Sequence, residues 1–272
     1  MKILIADDME GISGVVDWRH VGDDPGEYAR FRHIMTGDVN AAVRGAFKAG
    51  ADEVVVSDGH GSGRNVLVEE LDRRAKLNSG SPSPFSMISG IDQDVDALMY
   101  VGYHARKGTL NAILCHTWTG SVRNVYVNGL HVGEIGLNGL VAGHFNVPLI
   151  MISSDLAGCN EAIDLVPAIE TAVVKKATGR FAAEVLQVEE AQARIEAAAE
   201  KAVLRFKNGD HGAPLKTTYP VKVRLEFDSA DLADGAAQLP GCTRVDGRTI
   251  EFTAPDMPSA HRSFRAAATL SR

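Results

Sequence analysis

Short apolar runs alternate with helical patterns through the first half of the chain. Continuous apolar residues predict buried strands at residues 3–6, 53–57, 97–103, 111–115 and 148–153. Apolar residues at helical spacing predict helices over residues 36–49 and 137–145, and Gly50 ends the first of them. Buried strands separated by helices are typical of a parallel sheet that is covered on both sides. The pattern therefore predicts an α/β fold with a mostly parallel, doubly wound sheet and helices on both faces.

The second half of the chain has a different pattern. Helical spacing predicts a long helix over residues 189–208. Residues 221–227 alternate apolar and charged side chains, as a half-exposed strand does. The Asp-Gly pair at residues 246–247 predicts a tight hairpin turn, and so does the Asn-Gly pair at residues 128–129 in the first half.

Length, charge and cysteine content limit the classes of protein that need to be considered. The 272 residues are enough for two modest domains, and we expect residues 1–160 to form a catalytic α/β domain and residues 161–272 a smaller C-terminal α+β subdomain. The net charge of −7 argues against a nucleic-acid or membrane partner, since such proteins are usually basic. No apolar run is long enough for a secretory signal or a membrane helix, and the three cysteines form no CxxC pair. These features predict a cytoplasmic protein without a disulfide framework.

Side chains of the types that bind metals follow four of the predicted strands and the first hairpin. They are Asp8 and Glu10 after the first strand, His60 after the second, His104 after the third, His116 after the fourth and Glu134 after the hairpin. In a doubly wound sheet, ligands bind at the edge where the carboxyl ends of the strands meet. Asp8 and Glu10 are two residues apart, so in an extended segment they project to the same side. We therefore expect these side chains to converge at one edge of the sheet.

The charges of this set point to metal ions. Carboxylates that lie close together repel one another unless a cation compensates their charge. One zinc ion accepts about four ligands and a catalytic site keeps one position open, so five ligand residues are too many for one ion. They suit two ions if one carboxylate bridges, and nitrogen and oxygen ligands without sulfur suit zinc, with manganese or cobalt as alternatives. The residues predicted to hold two zinc ions are Asp8, Glu10, His60, His104 and Glu134.

Each of these residues also has an ordinary structural explanation. A single histidine after a strand is usually a hydrogen-bonded loop residue, and Asp8 could cap the following turn. Glu134 lies between glycines and could belong to a solvated loop. We interpret His131 and His144 in this way, as surface or hydrogen-bonded histidines, and Cys115 as an inert thiol. The recurrence of ligand types at several strand ends is what favours a metal site.

Five motifs resemble those of a known family, and their order and spacing make the resemblance specific. The motifs are DMEGISG at residues 8–14, SDGHG at 57–61, GYHA at 102–105, CHT at 115–117 and NG..VGEIGLN at 128–138. Together they resemble the D-aminopeptidase family, the DppA-type binuclear zinc metallopeptidases. The similarity extends through most of the chain and is less distinct in the second half.

This resemblance implies a zinc-dependent aminopeptidase that releases N-terminal D-amino acids from short peptides such as D-Ala-D-Ala. It implies that Asp8 bridges two ions, that Glu10 and His104 complete one, and that His60 and Glu134 complete the other. His116 lies where the family has its catalytic histidine, described there as a nucleophile. We assign it instead to general acid–base work beside a metal-bound hydroxide, which is a better nucleophile for an amide. The resemblance also implies a double-ring homodecamer, for which the C-terminal subdomain would supply contacts and part of the pocket wall.

The sequence also allows other functional hypotheses for the same residues. The stretch ILIADDMEG loosely resembles the first motif of haloacid-dehalogenase-like phosphatases, with Asp8 as nucleophile, but that reading gives no reason for His60, His104 and Glu134. A metal-dependent amidase acting on other small amides would use the same ligands. A non-catalytic, metal-stabilised or ligand-binding α/β protein is the third alternative, although a structural zinc site is normally closed by four residues.

Overall fold

The computed structural model describes residues 1–271 and contains two β-sheets. Its strands are β1 (Lys2–Asp7), β2 (Glu53–Asp58), β3 (Lys76–Asn78), β4 (Ala97–Val101), β5 (Val122–Val127), β6 (Leu130–Val132), β7 (Leu149–Asp155), β8 (Glu170–Gly179), β9 (Ala182–Val185), β10 (Val221–Phe227), β11 (Thr243–Asp246) and β12 (Thr249–Ala254). Its α-helices are α1 (Pro25–Lys48), α2 (Glu134–His144), α3 (Leu156–Leu165), α4 (Val188–Lys207), α5 (Ala230–Ala236) and α6 (Met257–Leu270). No helix of residues 1–271 has the length and apolar character needed to cross a membrane.

The larger sheet determines where a ligand can bind. Its strand order is β3-β2-β1-β4-β7-β8-β9, and all neighbours are parallel except the last pair. The chain moves outward from β1 through β2 to β3, then returns to the other side of β1 and moves outward through β4, β7 and β8. The order therefore reverses between β1 and β4, and such a switch point opens a crevice at the carboxyl ends of the strands.

The side chains of the central strands point alternately into two hydrophobic cores, one on each face of the larger sheet. Ile3 and Ile5 face the helices α1 and α4, which pack closely on each other because Gly45 lets α1 approach the backbone of Glu196. Leu4 and Ala6 face the opposite core, which is completed by α2, α3, α6 and the apolar side of the smaller sheet. The expected mostly parallel sheet with helices on both faces is confirmed.

The smaller sheet is antiparallel, with the order β11-β12-β10-β5-β6. Its hairpin β5–β6 turns at Asn128 and Gly129, both with positive φ, as the Asn-Gly pair predicts. Strands β5 and β6 precede residue 160 in sequence yet pair with β10, while β8 and β9 follow it yet extend the larger sheet. The division into domains at residue 160 stays a prediction.

One strand expected from the sequence is absent. Residues 111–115 form turns rather than a strand, with positive φ at Asn111 and Leu114. Their amides are satisfied elsewhere: Ile113 donates to the Asp155 carboxylate at 2.8 Å, and Leu114 donates to the Arg180 carbonyl at 3.1 Å. The prediction of a strand at 111–115 was therefore wrong, because apolar content alone does not distinguish a buried loop from a strand.

Candidate metal centre

The chain turns sharply after β1, and this turn carries the first two candidate ligands. Asp8 follows the last residue of the strand and Glu10 lies in the turn, so they are not in an extended segment as the sequence had suggested. The turn lies directly against the residues after β4, since Gly11 donates to the Gly102 carbonyl at 2.7 Å. Gly102 has a φ of +74°, and a Cβ there would collide with the Asp8 carbonyl. This close contact brings the ends of β1 and β4 together.

Asp8, Glu10 and His60 form the first cluster. Nδ1 of His60 lies 3.2 Å from Oδ1 of Asp8 and 3.1 Å from Oε2 of Glu10. On the other side of the ring, Nε2 lies 2.9 Å from the carbonyl of Val21, to which it donates. That hydrogen bond fixes the ring and directs Nδ1 at the two carboxylates, either as a proton donor or as a ligand of a shared cation. The three ligand atoms are close enough to hold one ion.

Asp8, His104 and Glu134 form the second cluster. Nε2 of His104 lies 3.4 Å from Oδ2 of Asp8 and 3.5 Å from Oε1 of Glu134. Nδ1 of His104 donates to the Ala105 carbonyl at 3.0 Å, which leaves Nε2 for the carboxylates. Glu134 is the first residue of α2, and its Oε1 also accepts from the Trp118 amide at 2.5 Å. Asp8 thus presents one oxygen to each cluster.

The donor set fits divalent cations. Oδ2 of Asp8 and Nε2 of His104 are buried, and neither has a hydrogen-bond partner among residues 1–271. A buried polar atom without a partner is costly, and a metal ion at this point would satisfy both atoms at once. Two of the groups whose ligand atoms could share an ion place Glu10 with His60 and His104 with Glu134, whereas a third group places Glu10 with His104, as the resemblance implies. The assignment of these residues as metal ligands stays a prediction.

The electrostatics of the cluster also call for positive charge. Burial, and next the charge of Glu10, raises the pKa of Asp8 to about 7. Burial opposes charge on His60 and His104, but the surrounding carboxylates together outweigh it and raise the pKa of each imidazole, with Glu10 the strongest of them at His60 and Glu134 at His104. Burial, and next the charge of Asp58, also raises the pKa of the neighbouring Asp7 well above its usual value, which favours its neutral form.

His116 lies beside both clusters, and with Glu10 and His104 it forms a third group whose ligand atoms are close enough to hold an ion. Its ring stacks on His104 with centroids 4.2 Å apart, and its Nε2 lies 3.8 Å from Glu134 and 4.0 Å from Glu10. Nδ1 of His116 donates to the Leu114 carbonyl at 3.0 Å. Burial, and next the charge of His104, lowers the pKa of His116, so its Nε2 is free to accept a proton near neutral pH.

The structure thus brings together all six of the residues singled out in the sequence. His131 and His144 lie elsewhere: His131 stacks on Tyr126, and His144 contacts Tyr219. Asp155, for which the sequence offered no role, caps α3 by accepting from the Gly158 amide.

Three further side chains or backbone groups near the site had not been anticipated. Lys175 is fully buried and donates to the carbonyls of Glu10, Ile12 and Val15, so it holds the turn that carries the ligands. A lysine within an apolar strand was the available signal, but the strand itself had not been predicted. The Trp118 amide and the Arg265 side chain could not be predicted from the sequence, because a backbone donor and a single arginine have no distinctive sequence pattern.

The fold and the site define an α/β protein with a candidate metal centre at the switch point of its sheet. The family model for D-aminopeptidase matches residues 1–266. The chain is 36% identical over 265 residues to a D-aminopeptidase of Bacillus subtilis (strain 168), which covers 97% of this chain and 95% of the relative. It is also similar to the solved structure of the Zn-dependent D-aminopeptidase DppA from Bacillus subtilis, a self-compartmentalizing protease, with a TM-score of 0.96 and 34% identity over 100% of this chain and 98% of that one.

The chain belongs to the D-aminopeptidase family. The family expected from its five motifs is confirmed, and so is the enzyme class, a hydrolase of the aminopeptidase type.

Proposed function

We propose that this chain is a zinc-dependent aminopeptidase that uses two zinc ions to release an N-terminal D-amino acid from short peptides such as D-Ala-D-Ala. The observation that carries the proposal is the position of Asp8, whose Oδ1 lies 3.2 Å from His60 while its Oδ2 lies 3.4 Å from His104. A carboxylate held between two separate imidazoles has the arrangement that a bridging ligand needs. Similarity to a Zn-dependent D-aminopeptidase over the full chain supports zinc as the metal.

In this proposal Glu10 and His60 would hold one ion and His104 and Glu134 would hold the other, with Asp8 contributing to both. Zinc bound here would lower the pKa of a bound water to about 7 and polarise the carbonyl of the scissile bond. The protein's own contribution is to fix the ligands. The Val21 and Ala105 carbonyls orient the two imidazoles, and the Trp118 amide orients Glu134.

His116 moves the proton in this mechanism. Its Nδ1 is held as a donor by the Leu114 carbonyl, and its Nε2 faces the space beside Glu10 and Glu134. A neutral imidazole in this position takes a proton at Nε2 as the nucleophile adds, and returns it to the nitrogen of the leaving group. Burial lowers the pKa of the ring and so keeps it in the accepting form at neutral pH.

The cavity beside the clusters favours a short peptide with a free amino group. It has a volume of about 350 Å³, and Asp8, Glu10 and Glu134 all line it. A free α-amine would bind at this end of the cavity, through its lone pair to a metal ion or, when protonated, through a hydrogen bond to a carboxylate, which explains why cleavage would begin at the N-terminus. A volume of this size accepts a few residues rather than a folded chain.

We extend the proposal to assembly into a ring-shaped homodecamer that encloses the active sites. The support is the full-length similarity to a protein described as a self-compartmentalizing protease. Enclosure would restrict substrates to peptides small enough to enter, in agreement with the small cavity.

Incubation of the zinc-loaded protein with matched D- and L-dipeptides tests the function directly. We expect release of free amino acid from D-Ala-D-Ala, much slower release from L-Ala-L-Ala, and loss of both after chelation, with recovery when zinc is returned. Elemental analysis should give two zinc ions per chain. Turnover of D-amino-acid amides without any cleavage of dipeptides would instead establish the amidase alternative, and cleavage of neither with zinc bound would refute the aminopeptidase.

A further inference from the structure

The cavity beside the candidate metal centre contains a cationic side chain that the proposed chemistry does not use. Arg265 lines this cavity together with Asp8, Glu10 and Glu134, and it also lines the neighbouring cavity beside Pro84 and Arg262. It belongs to α6, in the second half of the chain, and it is the only Lys or Arg among the described residues that line this cavity. The acidic and cationic side chains therefore come from different parts of the fold and meet in one space.

The Arg265 guanidinium has capacity for a ligand. Its Nη1 donates to the Pro84 carbonyl at 2.8 Å, which anchors the side chain against the loop that supplies Ser81 and Pro82 to the same cavity. Among residues 1–271 it forms no ion pair with any carboxylate, and partial burial, followed by the charge of Arg262, lowers its pKa. A guanidinium has five N–H donors in a planar fork, so several remain for a carboxylate.

A cationic group apart from the candidate metal centre would give a peptide substrate one direction of binding. A dipeptide carries its free carboxylate only about 7 Å from its amino end, so both charged ends enter the same space. The ions proposed at Asp8, Glu10 and Glu134 would attract the substrate's carboxylate as well as its amine, so a separate cation is needed to hold the carboxylate away from them and to compensate its loss of hydration. Arginine binds a carboxylate through two parallel hydrogen bonds, which also fixes the direction of the peptide.

We propose that Arg265 is the residue that receives the free C-terminal carboxylate of a short peptide, so that the site is selective for dipeptides and similar substrates with an unblocked C-terminus. This proposal rests on the proposed aminopeptidase function, and it adds a recognition site for the second charged end of the substrate. Binding the amine at the acidic clusters and the carboxylate at Arg265 positions the peptide bond between them. Longer peptides would lose this contact unless they fold back.

The test compares two substrates that differ only in the C-terminal charge, D-Ala-D-Ala and its C-terminal amide, in the zinc-loaded protein. For Arg265→Gln we expect KM for D-Ala-D-Ala to rise about 10- to 100-fold, because one charge-assisted contact is lost. The amide should keep kcat/KM within about twofold of the wild type, since its C-terminus has no charge to pair. Arg265→Lys should recover part of the loss on the free acid, because it keeps the charge but not the fork.

Arg262→Gln is the matched control. Arg262 lies on the same helix and is exposed, and it lines a neighbouring cavity rather than the one beside the metal ligands. The Arg262→Gln variant should have the same KM and kcat/KM as the wild type for both substrates. An equal loss on acid and amide in Arg265→Gln would assign the residue a structural role and overturn the proposal, as would no loss on either substrate. If the wild type cleaves neither substrate, the aminopeptidase function itself has failed and this inference fails with it. A wild type that cleaves D-Ala-D-Ala and its amide equally well would overturn only the inference about Arg265.

Discussion

His116 illustrates how a single side chain can be placed for proton transfer beside candidate metal ligands. It lies between two cavities, the one that contains the candidate ligands and a larger one of about 940 Å³ lined by Trp18 and Arg180. Its ring stacks on His104, so its position depends on the ligand set although it stands outside both clusters. A residue in this position affects turnover more than it affects the metal content.

We expect His116→Ala to retain the two proposed zinc ions and to lose about 10²- to 10⁴-fold in kcat, the usual contribution of a general acid–base. Steady-state kinetics and elemental analysis on the same preparation measure the two effects. His131→Ala is the control, because His131 lies on β6 and stacks on Tyr126 outside the site. Normal turnover in His116→Ala would remove the residue from the mechanism, and loss of zinc would make it a ligand.

His261 provides a test of the pH dependence of stability at a position away from the metal ligands. It is buried on α6 with an edge-on contact to Trp118, and burial, followed by the charge of Arg265, lowers its pKa from 6.5 to about 3. Between these two values the unfolded chain takes up a proton that the folded protein excludes. The stability that this histidine contributes is complete above pH 6.5 and is lost as the pH falls toward 3.

His261→Phe removes this dependence while keeping an aromatic ring in the core. We expect the wild type to lose about 2 kcal/mol more unfolding free energy than the variant between pH 7 and pH 5. Urea denaturation at the two pH values measures this difference, and other titrating groups cancel because both proteins contain them. Equal pH dependence in the two proteins would contradict a neutral, buried His261.

At the scale of secondary-structure elements, the turn after β1 depends on a strand far away in sequence. Lys175 on β8 donates to three carbonyls of residues 10–15 at 2.7 to 2.8 Å, and Asp38 on α1 accepts from the amide and hydroxyl of Ser13. Both contacts act on backbone or side-chain groups of the same turn. The positions of Asp8 and Glu10 are therefore set by α1 and β8 as well as by β1.

Lys175→Met should leave three carbonyls without their donor and loosen this turn. We expect a loss of about 3 kcal/mol in unfolding free energy for the metal-free protein, and weaker zinc binding, because the ligands are less well ordered before the metal binds. Lys176→Met is the matched control, since the neighbouring Lys176 is exposed. Chemical denaturation and zinc titration would contradict this role if Lys175→Met behaved like Lys176→Met in both.

The elements also show what sequence patterns could and could not predict. The strands β1, β2, β4 and β7 were predicted because parallel strands buried on both faces have continuous apolar sequences. Strand β8 was not predicted, because the fully buried Lys175 interrupts its apolar pattern. The turns at residues 111–115 were mistaken for a strand, because their amides are satisfied by Asp155 and Arg180, which are distant in sequence.

The convergence of the candidate ligands could be predicted from the order of the strands. Asp8, His60 and His104 directly follow strands or lie close beyond them, and strand ends at one edge of a parallel sheet are brought together by topology alone. The distances between their ligand atoms could not be predicted, because they depend on ring orientations that the Val21 and Ala105 carbonyls set. Arg265 could not be predicted either, since α6 reaches the cavity only through the packing of the whole chain.

At the scale of the whole molecule, each sheet contains strands from both halves of the chain, and the site depends on both halves. The hairpin β5–β6 belongs to the first half of the chain and pairs with β10 of the second half. Helix α2 follows this hairpin, and its first residue, Glu134, lies beside the candidate ligands that follow β1 and β4. Helix α6, at the end of the chain, supplies Arg265 to the same cavity. The cavity is therefore a product of the whole fold, and a further level of enclosure would come from assembly.

Assembly into the proposed homodecamer predicts both a mass and a limit on substrate size. Ten copies of this 29.0 kDa chain amount to about 290 kDa, which light scattering on the eluted protein would detect directly. Because an enclosed chamber admits only small substrates, we expect D-Ala-D-Ala to be cleaved rapidly while the same N-terminal residue on an unfolded chain of about 100 residues is retained. Intermediate peptide lengths serve as the control, since a limit set by entry should give a graded fall in kcat/KM with an unchanged N-terminal preference. A monomer at micromolar concentration that cleaves short and long chains equally well would refute the enclosed ring.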